Sequence, residues 1–165
     1  MENSPLSRPL KELAGIDVHV EVVDIGSSNL GGTAPYMPLL AAGIADVVGF
    51  EPNPRALNRL NQTKGPHETY LPYVVGDGQS HQFYFCAAAG MSSLLKPNLN
   101  VLRLFHGFPE WSSITEEVTV NTVRLDDLPE TMNLDFLKMD IQGAELMVLR
   151  HAEERLKNAC SSRQR

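Results

Sequence analysis

Three acids stand where apolar runs of the chain stop. Val20-Glu21-Val22-Val23 leads into Asp24-Ile25-Gly26-Ser27-Ser28. Val47-Val48-Gly49-Phe50 leads into Glu51-Pro52-Asn53-Pro54, and Phe136-Leu137-Lys138-Met139 leads into Asp140. Short runs this rich in valine and leucine read as buried strands. In a doubly wound α/β sheet the ligand crevice lies at the carboxyl ends of the strands, so acids there can accept ribose hydroxyls or hold a charged ligand end. Asp24 and Glu51 are 27 positions apart, about one βαβ step.

Each residue type carries a chemical reading and a plain structural one. Gly26 lets the backbone approach a ligand, or it simply turns a strand toward a helix. The run Gly26-Ser27-Ser28-Asn29-Leu30-Gly31-Gly32 is not the G-x-G-x-x-G of a dinucleotide fold, which disfavours a pyrophosphate cradle. Glu51 can take both ribose hydroxyls in charge-assisted hydrogen bonds, or it can favour the dipole of a helix opening at Pro54. Asp77, in Gly76-Asp77-Gly78, is placed either for an adenine amino group or for a turn. Asp140 can orient a charged ligand end or accept a proton. Glu145 satisfies a helix dipole, and Lys138 is positioned to pair with an acid. Ser92 and Ser93 offer hydroxyls to a crevice or to a serine turn. The five histidines show no metal-ligand spacing, so no metal site is read from them; His106 alone stays as a candidate base. Phe105, Phe108 and Trp111 beside it read as a lid or satellite core.

These residues need elements to hold them. The pattern predicts a helix within 1–16, strands over 18–24, 45–50, 69–75 (interrupted by Pro72), 81–87, 117–125 and 134–139, and a glycine- and serine-rich loop over 26–32. Helices are expected over 38–42, over 54–61 with Asn53 as N-cap, and over 144–157 with Leu146, Leu149 and Leu156 on the buried face. The stretch 90–109 reads as irregular and 160–165 as a polar tail. No internal repeat or low-complexity segment is visible.

The whole composition narrows the function. A chain of 165 residues suits one domain over 1–165, with 1–16 as an N-terminal helical segment and 158–165 as the tail. A net charge of −6 without a basic cluster argues against nucleic acid and anionic membranes as partners. The sequence has no apolar run long enough for a membrane span and no apolar signal core. Cys86 and Cys160 lie in no zinc or redox pattern, which points to a reducing, cytoplasmic setting.

Read together, the segments resemble the FkbM family of S-adenosylmethionine-dependent methyltransferases. The resemblance is carried by Val23-Asp24-Ile25-Gly26-Ser27, Gly49-Phe50-Glu51-Pro52-Asn53-Pro54, Gly90-Met91-Ser92-Ser93-Leu94, Arg124-Leu125-Asp126-Asp127-Leu128 and Phe136-Leu137-Lys138-Met139-Asp140-Ile141-Gln142-Gly143-Ala144-Glu145-Leu146, in that order. Gln142 stands where many members carry Glu. The resemblance implies a Rossmann-like doubly wound sheet and S-adenosylmethionine as cofactor. Asp24 and Gly26 would match the first motif, Glu51 the ribose acid and Asp140 the strand-four acid. Ser27, Ser28, Pro52, Asn53 and Asp77 join them as cofactor-binding candidates. The implied reaction is methyl transfer to a hydroxyl oxygen of a sugar or small molecule, with Asp140 and His106 as candidate catalytic residues.

Methyltransferases of this architecture usually have seven strands. The sequence supports four in the order 3-2-1-4, plus an inserted pair, so the last strands are expected to be absent and strand four to lie on an open edge. Such an edge favours self-association. The alternatives are a shortened chain that binds S-adenosylmethionine without turnover or acts through a partner, and a nicotinamide-dependent oxidoreductase, which the glycine spacing disfavours.

Overall fold

The valine-rich runs pair as parallel strands, and their register builds the sheet that carries the site. The computed structural model of the chain describes residues 19–27 and 33–159. In chain order its strands are β1 (Val20–Ile25), β2 (Ala45–Phe50), β3 (Glu68–Leu71), β4 (Ser80–Cys86), β5 (Ile114–Asn121) and β6 (Phe136–Met139). A parallel sheet runs β3-β2-β1-β6, and β4 and β5 form a separate antiparallel pair. This mixed α/β arrangement is Rossmann-like. Val22 lies opposite Val47 on one side and Phe136 on the other, so β1 is central. Among the described residues β6 is paired only through β1.

The period-two alternation of β1 divides the interior into two layers. Val23 and Ile25 join Phe50, Val75, Leu125, Leu134 and Val148 on one face. Val22 and Val47 pack on the other face with Tyr36 and Ala45, under α1 (Met37–Ala41). Gly49, the penultimate residue of β2, lies on this second face. A Cβ there would fall 2.5 Å from both the Tyr70 ring and Ser27 Oγ. α2 (Pro54–Thr63) begins at Asn53, whose side chain accepts from the N–H groups of Arg55 and Ala56, with Pro54 at the first helical position.

Several boundaries differ from the sequence expectation. β3 stops at Leu71 because Pro72 has no N–H for the ladder. Val74 and Val75 turn instead to Val123, whose N–H donates to Val74 O at 2.9 Å. The expected strand over 117–125 is shifted to Ile114–Asn121, with a register shift at Phe85/Cys86. The stretch expected to be irregular holds a 3-10 turn (Ala89–Met91), α3 (Leu99–Leu102) and α4 (Phe108–Trp111).

The single helix expected over 144–157 is two, α5 (Glu145–Arg150) and α6 (Glu153–Ala159). Asp126 accepts from the N–H groups of Glu154 and Arg155, capping α6 from another segment and so fixing its start. The break also changes which side is buried. Val148 and Ala152 are in the core, whereas Leu146 is 57% exposed. The expected helix within 1–16, the loop positions 28–32 and the tail lie outside the described residues.

Candidate functional site

At the carboxyl ends of β1, β2 and β6 the chain leaves a hollow of about 290 Å³. Such crevices form where parallel strands hand over to helices that diverge. Gly26, Glu51, Pro52, Asn53, Lys138 and Asp140 lie on its wall. Its apolar side comes from Phe50, Tyr73, Val75, Phe83 and Phe85. The sheet rim therefore supplies the charges, and the antiparallel pair supplies much of the hydrophobic surface.

Glu51 is 5% exposed and directly follows β2. Its Oε1 accepts the Asn53 N–H at 2.8 Å, while its own N–H donates to Leu71 O. Among the described residues no hydrogen bond engages Oε2. Asn53 thus caps α2 and orients the acid at once. Asp140 is exposed at the rim, where its Oδ1 accepts the Gln142 amide at 2.7 Å. Gln142 adopts a left-handed backbone at φ 58°, so the turn itself directs that amide back to Asp140.

Gly26 (φ 81°) has a more specific reason than ligand approach. A Cβ at this position would collide with the carbonyl oxygen of Asp140, so the bare backbone lets the β1 and β6 loops close on each other. The β6 loop is also tied to the antiparallel pair. Ser93 exchanges two backbone hydrogen bonds with Tyr84, and its hydroxyl donates to Gln142 O at 3.0 Å. Ser92 lines the hollow and its Oγ accepts the Cys86 N–H.

The structure does not bring Asp24, Ser27, Asp77 and His106 to this wall. Asp24 is 1% exposed, because alternation turns it to the Tyr36 layer while Ile25, one residue on, reaches the hollow. Tyr36 donates to Asp24 Oδ2 at 2.6 Å, and the Lys138 ammonium stands 2.9 Å from Oδ1. That ammonium aims its hydrogen bond at Gly26 O, 3.0 Å away, so its contact with Asp24 is an ion pair rather than a directed bond. Burial, reinforced by the bond to Asp24, pushes the Tyr36 hydroxyl well above the usual tyrosine range. Ser27 Oγ donates to Asp24 O and is spent within its own turn.

Asp77 holds a turn. It accepts from the Gln79 N–H, the His81 ring and the Thr122 hydroxyl. Burial raises its pKa, but these bonds outweigh it and hold the carboxyl below the usual range. His106 is exposed between α3 and α4. The Phe108 ring packs between those of Phe105 and Trp111, at 5.5 and 5.4 Å between centroids. Ser28 lies outside the described residues.

The family model described as Methyltransferase FkbM domain matches residues 24–161, from the end of β1 through α6. The chain belongs to this family. No curated protein and no solved structure gives a significant match. In this FkbM-domain protein, no helix among the described residues is long and apolar enough to cross a membrane. Phe83 and Phe85 are site residues that the motif reading passed over. Their alternation with Gln82 and Tyr84 already marked one face of β4 as apolar.

Proposed function

We propose that the chain moves a methyl group from S-adenosylmethionine to a hydroxyl oxygen of a sugar or other small molecule. Buried Glu51 carries this reading: a carboxylate fixed by the Asn53 N–H at the edge of a mostly apolar hollow fits a ribose diol. The balance of charge supports it. Lys138 is matched by Asp24, which leaves Glu51 and Asp140 as unmatched acids on the wall. Such a wall favours a ligand bearing a sulfonium and an ammonium over one bearing a pyrophosphate.

When bound, S-adenosylmethionine supplies a methyl carbon already activated by its positive sulfur. The protein's share is then positioning and exclusion of water. Glu51 and Asn53 hold the ribose end, and the Phe83 and Phe85 rings shield the hollow from solvent. Asp140, oriented by Gln142, accepts the proton of the attacking hydroxyl, an effect of about 10²–10⁴ in rate.

Calorimetric titration tests the donor site. S-adenosylmethionine and its demethylated product are expected to bind and NAD is not. Glu51→Ala should weaken binding by about 1.5–3 kcal/mol, the range for hydrogen bonds to a charged group. Binding of NAD, or donor affinity untouched by Glu51→Ala, defeats the reading. Methyl transfer to a panel of hydroxyl compounds, lowered in Asp140→Asn, tests the reaction itself.

A further inference from the structure

The parallel register gathers a second cluster at the other end of the sheet. Glu21 on β1 lies directly opposite Asp46 on β2. His19 precedes β1, and His67 precedes β3 with its carbonyl bonded to the Val47 N–H. Asp46 stands between the two imidazoles. Its Oδ2 is 2.7 Å from His19 Nε2 and its Oδ1 is 2.7 Å from His67 Nδ1. Glu21 Oε1 is 3.8 Å from His19 Nε2.

We propose that His19, Glu21, Asp46 and His67 form a site for a divalent transition metal, of which Zn²⁺ fits best. Two imidazole nitrogens with two carboxylates are a borderline donor set that suits Zn²⁺, Co²⁺ or Ni²⁺ and not the all-oxygen preference of Mg²⁺ or Ca²⁺. Donor atoms of His19, Glu21 and Asp46 already lie within 4.8 Å of one another. A tetrahedral shell with bonds of about 2.0–2.2 Å spaces its donors roughly 3.3–3.6 Å apart. An ion would therefore open the two 2.7 Å Asp46–histidine contacts, draw Glu21 in, and need His67, which lies outside that group of three, to swing toward it. The side chains are 36% to 45% exposed, which leaves them room to rotate to that spacing.

The two acids face each other across adjacent strands, and a dication there would neutralise both. Asp135 Oδ2 accepts the Glu21 N–H at 3.1 Å, which fixes the backbone that presents this ligand. A bound ion would tie β1, β2 and β3 together at the rim opposite the hollow.

The test uses the full chain stripped with a chelator. Titration with Co²⁺ should give one saturable visible absorption band of low-symmetry coordination, which Zn²⁺ displaces. Zn²⁺ should also raise the thermal unfolding midpoint, and Mg²⁺ should not. Asp46→Asn and His67→Ala should each weaken Zn²⁺ by more than about tenfold while leaving the circular dichroism spectrum unchanged. Absence of saturable binding in the unmutated chain, or unchanged affinity in both variants, overturns the proposal. Neither readout depends on methyl transfer.

Discussion

Lys138 sits between a buried carboxylate and a backbone carbonyl, and its removal exposes what each residue contributes. Without the ammonium, Asp24 at 1% exposure keeps only the Tyr36 hydroxyl. Lys138→Met should therefore cost about 3–5 kcal/mol in urea unfolding, the penalty for leaving one partner of a buried pair uncompensated. The Tyr36 hydroxyl gives this trio a pH signature. Its folded pKa is raised, so its stabilising share is whole below the unfolded value of about 10 and is lost as pH rises beyond it toward the folded value. Between about pH 8 and 11 the unmutated chain should lose more stability than Tyr36→Phe, as read from urea midpoints at each pH. Glu51 was legible from sequence because a lone acid after a β run, followed by Pro52-Asn53-Pro54, fixes both strand end and helix start. The place of Asp24 was not. It depended on β1 running one residue further, to Ile25, which decides which side chain meets the hollow.

At the scale of elements, α6 owes its start to a residue that does not belong to it. The Asp126 side chain caps it across the chain and is 8% exposed. Asp126→Ala should cost about 1 kcal/mol and speed hydrogen exchange at the Glu154 and Arg155 amides, with the amides of β1 unchanged. No local pattern announces such a cap, and so the sequence reads as one long helix. β2 and α2 are the opposite case. Each boundary is set by neighbours in the chain, Gly43 before β2 and Asn53-Pro54 after it, and both elements begin where the pattern placed them. The short helices α3 and α4 could not be read from periodicity because neither is long enough to display a face.

At the scale of the molecule, two sheets share one hollow, and the Ser93 hydroxyl joins the wall of one to the rim of the other. Ser93→Ala should leave the parallel sheet intact. It should loosen the 140–145 loop, which hydrogen exchange reads as faster amides there, and should weaken donor binding through Asp140. The order of the parallel strands was legible because four β runs alternating with helical stretches fit the doubly wound plan that the family resemblance implies. The assembly of His19, Asp46 and His67 was not, since spacing along the chain carries no record of parallel register.

Gly49 has one more consequence. The space left by its missing side chain is occupied by the Tyr70 ring from the neighbouring strand. Positions 49 and 70, with Ser27 pressing on the same space, are therefore expected to change together. A lineage that gains a bulkier residue at the first must shed the aromatic at the second and shift the Ser27 hydroxyl, and in a wide collection of relatives these columns should vary together.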